Sequence, residues 1–173
     1  MELFVAQGFA ETTVPEITAR AGLTTRTFFR HFPDKREVLF SAEAELPAVV
    51  RAAISDAPGS TNPMALIVHG LERVVAGRFD GLFEFLRTRR SVIRSDESLQ
   101  ERELRKLAHL AGAIEAVILD RGFDEHDARL AAGVAVTIFS VALDRWLDQE
   151  QATPPLAEAL EATLTSFRML SDD

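Results

Sequence analysis

Apolar residues recur at helical spacing along almost the whole chain, and the alternation typical of β-strands is nearly absent. Glycine and proline interrupt the pattern at wide intervals, which leaves segments of ordinary helix length. The pattern predicts an all-α protein. The predicted helices run from Glu2 to Gln7, Val14 to Ala21, Thr25 to Phe32, Lys35 to about Asp56, about Pro63 to Phe79, Leu82 to Arg94, Ser98 to Arg121, Glu125 to Gln149 and Leu156 to Leu170.

Pro47 falls inside the fourth predicted helix. A proline in a helix interior removes a backbone donor and clashes with the preceding turn, so we expect a kink or a split there. The three short helices lie before this point and the long helices after it. We therefore predict two domains, a small module over residues 1–46 and a larger helical domain over residues 47–173.

Local capping signals set the register of the short helices. Thr13 and Glu16 have the spacing of a capping box, and Gly22 suits the left-handed conformation that ends a helix. Thr24 is the expected cap of the next helix, which Pro33 ends. Two helices joined by a tight glycine-containing turn form a helix-turn-helix, whose second helix enters the major groove of DNA.

Charge is distributed unevenly along the chain. The net charge is −8, yet the segment from Glu16 to Arg36 holds five basic and two acidic residues, a local charge of +3. The location of positive charge matters more for DNA binding than the total. The sequence therefore permits a basic surface on the helix-turn-helix of an acidic protein.

The third predicted helix has two unlike faces. At about 100° per residue, Phe28 and Phe32 lie on a face that can cover the core. The residues of the other face are Thr25, Arg26, Phe29 and Arg30. The face that can meet DNA is therefore basic and aromatic.

Ten residues between Leu3 and Leu39 stand where a known family pattern places them. They are Phe9, Thr13, Ile17, Ala21, Gly22, Thr27, Phe28, Phe32, Lys35 and Leu39. In this segment the chain resembles the tetracycline-repressor (TetR) family of transcriptional regulators. The resemblance implies a three-helix DNA-binding module followed by a larger helical domain that binds a ligand and dimerises. It also implies a homodimeric repressor that a small molecule releases from a palindromic operator in double-stranded DNA. The absence of cysteine favours a cytoplasmic location.

Eight residues match DNA-contacting positions of that family. The residues expected near bases are Thr25, Arg26, Phe29 and Arg30. The residues expected at the DNA backbone, with Arg30 as a further possibility, are Thr13, Thr27, His31 and Lys35. Phe29 departs from the tyrosine common in the family, so an apolar contact with a thymine methyl or a sugar replaces a hydrogen bond to phosphate.

The start of the chain departs from the family pattern. Only Met1 to Gln7 precede Gly8, about two helical turns, where the family has a basic arm and a full first helix. We expect translation to begin upstream of Met1. The alternative is a first helix that supports the module poorly, in a dimeric small-molecule or partner-binding protein that no longer binds DNA.

The helix predicted from Glu125 to Gln149 is apolar nearly all round. One face carries Leu130, Val134, Ile138 and Val141. By the resemblance, the last two long helices form a four-helix interface across a two-fold axis. The predicted interface residues are Val136, Phe139, Leu143, Trp146, Leu160, Leu164 and Phe167. Burial of the whole helix within one subunit, and the choice between its two faces, stay open.

The middle helices carry candidate ligand contacts. A ligand pocket is usually apolar and aromatic with a few placed polar groups. The predicted pocket residues are His69, Phe83, Arg87, His109 and Thr137, which suit an apolar or amphipathic effector. For Phe83, a place in the core is the simpler alternative.

Several classes of function lack support in the sequence. The chain has no cysteine, its four histidines are widely separated, and no acid-base pair or phosphate loop is recognisable. We therefore expect no metal, no cofactor and no enzymatic activity. The longest apolar stretch, Leu130 to Leu143, is shorter than the roughly 20 residues of a membrane span. We expect no membrane segment and no secretory signal.

Overall fold

A computed structural model describes residues 1–41, 45–59, 62–151 and 155–171, in which the regular elements are all helical. The predicted fold class is confirmed. The helices are α1 Glu2–Gln7, α2 Val14–Arg20, α3 Thr25–His31, α4 Glu37–Phe40, α5 Leu46–Ser55, α6 Pro63–Val75, α7 Phe83–Arg94, α8 Glu97–Asp120, α9 Glu125–Leu147 and α10 Leu156–Ser171.

The fourth predicted helix, from Lys35 to about Asp56, is split in two, which is one of the two outcomes expected at Pro47. The structure has α4 and α5 in its place, and residues 42–44 between them lie outside the described part of the chain. Pro47 sits in the first turn of α5, where its missing amide hydrogen has no intrahelical partner to lose. The proline therefore marks a helix start rather than a kink.

Helix α6 ends four residues earlier than predicted, at Val75. Ala76 leaves the helical conformation with φ −63° and ψ 103°, and Gly77 follows with φ 72°. An L-residue with a side chain rarely adopts this φ, so the glycine permits the turn. Phe79 consequently lies in a connection between α6 and α7 and not on a helix.

The chain divides into two compact units. The N-terminal unit comprises Met1–Ala44 and Phe85–Leu104, and the C-terminal unit comprises Glu45–Glu84 and Arg105–Asp173. The predicted domain boundary at residues 46 and 47 lies close to the first division. Nothing in the sequence pattern indicated that a segment of α7 and α8 packs with the helix-turn-helix. As functional domains, residues 1–46 and 47–173 stay a prediction.

The core of the N-terminal unit joins distant parts of the sequence. Phe4 and Phe9 pack with ring centroids 5.2 Å apart. They share one cluster with Leu39, Phe40, Val92, Ile93 and Leu99. Burying an aromatic or aliphatic side chain of this size contributes about 1.5–3 kcal/mol. Side chains from α7 and α8 therefore complete the core beneath the helix-turn-helix.

Helix α9 is the central helix of the C-terminal unit and packs against α6 and α10. Five alanines on its buried faces allow close approach, namely Ala128, Ala131, Ala132, Ala135 and Ala142. At 23 residues it is long and apolar enough to cross a membrane by length and composition alone. Length and composition therefore do not by themselves distinguish α9 from a membrane-spanning helix. Its packing is that of a core helix, which passes the same test.

Candidate nucleic-acid interface

The capping box of α2 is present as predicted. The Glu16 amide donates to the Thr13 hydroxyl at 3.4 Å, and the Thr13 amide donates to the Glu16 carboxylate at 2.7 Å. The Thr13 hydroxyl also donates to that carboxylate at 2.7 Å. Donation to the carboxylate by the Thr13 hydroxyl, the Thr13 amide and the Gln7 side chain lowers the pKa of Glu16. The cap therefore fixes where α2 begins.

A tight turn joins α2 to α3. Gly22 has φ 66°, the left-handed conformation expected at this helix end, and the Leu23 amide donates to the Thr18 carbonyl at 2.8 Å. Thr24 then caps α3 by accepting from the Thr27 amide at 3.1 Å. The predicted helix-turn-helix is confirmed in its local geometry.

Helix α3 is held by one face. Phe28 is 4% exposed, with ring centroids 5.2 Å from Phe32 and 5.4 Å from Phe29. Phe29 itself is 56% exposed. Because Phe28 fixes the rotation of the helix about its axis, the residues of the opposite face point outward in a defined order.

Five of the eight predicted contact residues lie exposed on α3. They are Thr25, Arg26, Phe29, Arg30 and His31. Arg26 forms no hydrogen bond or ion pair with any residue that the structure describes. The Arg30 guanidinium lies 3.4 Å from His31 Nε2. The structure thus places two cationic side chains and an exposed phenyl ring on one short helix.

The other three predicted contacts are engaged within the unit. The Thr13 hydroxyl bonds Glu16, and the half-buried Thr27 has its hydroxyl 3.1 Å from that of Thr24. A phosphate contact from Thr13 therefore needs its hydroxyl to exchange one acceptor for another, whereas Thr27 can accept from the Thr24 hydroxyl and keep its own proton for phosphate.

Lys35 differs most from its predicted role. Its ammonium donates to the carbonyls of Phe9, Ala10 and Thr12 at 2.7, 3.0 and 2.9 Å, and lies 4.4 Å from the centroid of the Phe9 ring. An ammonium has three protons, so no donor remains for phosphate. In addition, α4 begins at Glu37 and not beside Lys35. The side chain holds the connection between α1 and α2 in place.

Two arginines of the N-terminal unit were missed by sequence reasoning. Arg89 is buried, with Nε donating to the Leu39 carbonyl at 2.7 Å and Nη2 to Glu103 at 3.0 Å. Arg102 pairs with Glu37 at 2.7 Å, which raises the pKa of Arg102. The two guanidinium carbons lie 4.8 and 5.0 Å from the Phe40 ring centroid. We call this set, Glu37, Phe40, Arg89, Arg102 and Glu103, the arginine clamp.

One sequence signal could have identified Arg89. It stands three and four residues before the buried Val92 and Ile93, so helical geometry puts it on the apolar face of α7. An arginine on such a face requires a buried hydrogen-bond partner. Which backbone carbonyl or carboxylate supplies that partner cannot be read from α7 alone.

The five predicted ligand contacts differ in their exposure. His69 is half-buried, Arg87 and His109 are exposed, and the exposed Thr137 donates to the Gly133 carbonyl at 2.9 Å. Phe83 is a core residue, with its ring centroid 5.1 Å from that of Trp146. An enclosed apolar cavity of about 20 Å³ lies among α5, α6, α8 and α9, and none of the five residues lines it.

The predicted dimer residues lie mostly inside the subunit. Four of them, Phe139, Trp146, Leu160 and Leu164, are buried, so they are unavailable to a second chain. Val136, Leu143 and Phe167 are half-buried. On the other face of α9, Leu130 is 68% and Val141 40% exposed. The predicted interface residues Phe139 and Trp146 therefore pack in the core of the subunit, as Ile138 of the other face also does, while Leu130 and Val141 remain exposed.

Comparisons with known proteins found a family, a relative and a solved structure to which this chain is similar. Residues 1–42 match the family described as bacterial regulatory proteins, tetR family. The HTH-type transcriptional regulator TcmR of Streptomyces glaucescens is 39% identical over 85 residues, which span 49% of this chain and only 37% of that relative. The solved TetR family transcriptional regulator PfmR of Thermus thermophilus aligns at a TM-score of 0.49 and 21% identity, over 93% of this chain and 90% of that one. The family match includes all eight predicted DNA-contact positions, and over residues 1–42 the chain is similar to the tetR family of bacterial regulatory proteins.

Proposed function

We propose that this protein is a sequence-specific, DNA-binding transcriptional regulator with α3 as its recognition helix. The observation that carries the proposal is the exposure of five predicted contact residues on a helix whose opposite face is fixed by Phe28. The second helix of a helix-turn-helix enters the major groove with its N-terminal residues at the base edges. Thr25 and Arg26 are the first two residues of α3.

Arg26 is the residue we assign to base recognition. An arginine binds guanine O6 and N7 bidentately, the commonest specific contact in the major groove. Because Arg26 has no hydrogen-bond or ion-pair partner within the described residues, DNA binding breaks no internal bond. Arg30 and His31 are assigned to phosphates or to neighbouring bases.

The protein acts, in this proposal, as a homodimer through the exposed face of α9 and the adjoining part of α10. An open groove of about 540 Å³ lies along these helices, lined mainly by Leu130, Gly133, Val134, Thr137, Ile138 and Phe167. Met169 and Leu170, which follow the groove residue Phe167 in the sequence, are 70% and 84% exposed. A second copy that covers this apolar surface gives two recognition helices related by a two-fold axis, as a palindromic operator requires.

The finer role that we propose is that of a cytoplasmic repressor released from its operator by a small molecule. Release requires that the molecule bind one conformation of the dimer more tightly than the DNA-binding one. The support is the family resemblance together with apolar space inside the C-terminal unit. At about 20 Å³, the enclosed cavity has room for roughly one water molecule, so an effector there would have to widen it.

Selection from a random duplex library tests DNA recognition while the operator sequence is still unknown. We expect an inverted repeat whose half-sites are centred about 10 base pairs, or a multiple of that, apart. Arg26→Ala should lose preference at one position of each half-site, whereas Arg78→Ala, an exposed arginine of the C-terminal unit, should leave the motif unchanged. Failure to enrich any sequence would contradict the proposal.

Light scattering on two matched variants tests the dimer. Leu130 on α9 and Leu104 on α8 are 68% and 67% exposed. Leu130→Glu places a charge in the proposed interface and should shift the protein toward the monomer, while Leu104→Glu should not. Equal behaviour of the two variants would place the interface elsewhere.

A further inference from the structure

Helix α3 exposes an aromatic ring to which the proposed function gives no role. Phe29 is 56% exposed, more than any other aromatic side chain among the described residues. Removal of apolar surface from water is favourable, so a partner that covers this ring gains affinity. In the proposed function, the partner that α3 meets is DNA.

The core holds the Phe29 ring in place. Its centroid lies 5.4 Å from that of Phe28 in an edge-to-face contact with an interplanar angle of 86°. Phe28 is 4% exposed and packs in turn on Phe32 at 5.2 Å. Aromatic pairs favour this geometry. A ring that is anchored before binding loses little side-chain freedom on binding, so it is a preformed contact surface.

Phe29 lies beside the residues that we assign to bases. It follows Thr25 by four positions and Arg26 by three, and helical side chains at these spacings are neighbours. Three residues advance along a helix by about 4.5 Å, whereas successive base pairs are about 3.4 Å apart. The ring therefore enters the major groove within about two base pairs of the guanine assigned to Arg26.

The chemistry of the ring limits what it can recognise there. Phosphates and the polar edges of bases are bound through hydrogen bonds, and a phenyl ring has neither a donor nor an acceptor. The apolar group that unmodified base pairs present in the major groove is the C5-methyl of thymine. 5-Methylcytosine carries a methyl group on the same ring carbon. Sugars also offer carbon atoms, but they are alike at every nucleotide and carry no sequence information.

We propose that Phe29 determines specificity by recognising the C5-methyl group of a pyrimidine in each half-site, within about two base pairs of the guanine bound by Arg26. Because the contact is entirely apolar, it responds to the methyl group and not to the base that carries it. 5-Methylcytosine therefore replaces thymine in this contact, and loss of the methyl from either base weakens binding. The inference rests on the proposed DNA-binding function.

Deoxyuridine in the selected operator tests the contact, because uracil lacks only the C5-methyl group of thymine. Each thymine of a half-site is replaced in turn, and binding is measured by fluorescence anisotropy. We expect one position at which the replacement weakens wild-type binding about fourfold, the change expected for one buried methyl-sized group. Phe29→Ala should abolish this difference. Phe85→Ala, which removes the 41% exposed ring of α7, is the matched control and should retain it.

A second pair of duplexes separates the methyl group from the base. The sensitive thymine is replaced by cytosine or by 5-methylcytosine, each paired with guanine. Wild type should bind the methylated duplex about fourfold more tightly, and Phe29→Ala should bind the two equally. Each ratio compares two duplexes on one protein, so lower stability of Phe29→Ala does not alter it. The wild-type ratios need no variant at all.

The inference is overturned if wild type binds the uracil and thymine duplexes equally at every position. A uracil effect that persists in Phe29→Ala, or equal wild-type binding of the cytosine and 5-methylcytosine duplexes, would also contradict it. Salt-sensitive binding of the unmodified operator without any uracil effect supports the regulatory function and removes only Phe29 from base reading. Failure of wild type to bind any selected duplex would overturn the function and the inference together.

Discussion

Basic residues serve opposite purposes in two regions of the N-terminal unit. On α3, Arg26 and Arg30 are exposed, and Arg26 has no partner in the described part of the chain. Around α4, three cationic side chains point inward. Lys35 donates to three carbonyls, and Arg89 donates to one carbonyl and pairs with one carboxylate. Arg102 pairs with one carboxylate. A cationic side chain whose N–H groups already donate to acceptors of the protein stabilises the fold. A cationic side chain whose N–H groups have no such acceptors is free to bind DNA.

This difference changes what loss of each side chain should do. Removal of an inward cation leaves buried or half-buried acceptors without donors, which lowers the free energy of unfolding. Removal of an outward cation changes only what the surface can bind. Measurements of stability and of DNA affinity on the same variants therefore separate the two regions, and the largest effect is expected at the most buried side chain.

Arg89→Met should destabilise the protein most, by about 3 kcal/mol. Breaking a buried ion pair costs about 3–5 kcal/mol, and the low end applies because Glu103 is 26% exposed and can be solvated. The variant also loses the donor to the Leu39 carbonyl. Denaturant unfolding monitored by circular dichroism gives the value. Stability equal to wild type would show that the arginine clamp contributes little.

Lys35→Met should lower the free energy of unfolding by about 2 kcal/mol, because three carbonyls lose a charged donor. Arg26→Met is the matched control, since it removes an exposed cation, and should change stability by less than about 0.5 kcal/mol. If Lys35→Met instead keeps its stability and lowers the salt dependence of DNA binding, the phosphate contact predicted from the sequence is confirmed.

Arg26→Ala should cost about 1–3 kcal/mol of discrimination between the selected operator and a half-site mismatch, with unfolding unchanged. Competition binding with labelled and mismatched duplexes measures the difference. Discrimination equal to wild type would remove Arg26 from base reading and leave its charge as a backbone contact only.

Thr13→Ala should destabilise the protein by about 1 kcal/mol, the usual value for loss of a helix N-cap. Thermal unfolding is sufficient to detect it. Thr24→Ala, which removes the cap of α3, is the natural comparison, since both caps satisfy one amide of a short helix. A loss of DNA affinity larger than that of stability would indicate a direct contact by the Thr13 hydroxyl.

The smallest expected effect is the loss of stability at acidic pH that Asp34 causes. The Arg36 side chain and the amides of Arg36 and Glu37 donate to the Asp34 carboxylate and lower its pKa below the ordinary value of 3.8. The contribution of Asp34 to the free energy of unfolding is therefore complete above about pH 3.8, the ordinary pKa. It is lost as pH falls through the lower pKa that Asp34 has in the folded protein. Because Asp34 is 39% exposed, we expect less than about 1 kcal/mol. In Asp34→Asn the free energy of unfolding should fall less steeply as pH is lowered into the acid range. Asp120→Asn, on the surface of α8, should not change this pH dependence.

The fold could be predicted where the determinants are local. The capping box of Thr13 and Glu16, the turn at Gly22 and the stop before Pro33 each depend on neighbours within a few residues, so helices α2 and α3 begin where expected. The exposed face of α3 followed from helical geometry once Phe28 was assigned to the core.

Features that depend on distant residues could not be predicted. Lys35 is bound by carbonyls more than twenty positions earlier, and Arg89 by the carbonyl of Leu39 fifty positions earlier. The sequence pattern shows where a cationic residue stands, but not whether the fold places a hydrogen-bond acceptor beside it. In the same way, α9 is apolar on both faces, so only the packing of α6 and α10 shows that Phe139 and Trp146 face the core while Leu130 does not.

The most direct test of the account is the salt dependence of binding to the selected operator, measured by fluorescence anisotropy. Three proteins are compared: wild type, the double variant Arg26→Ala/Arg30→Ala, and Arg78→Ala. Contacts with phosphates release counterions, so affinity must fall as salt rises. We expect wild type and Arg78→Ala to bind with the same steep slope, and the double variant to bind weakly with a slope smaller by about one or two. A double variant that binds like wild type would contradict the assignment of α3 as the DNA-reading helix.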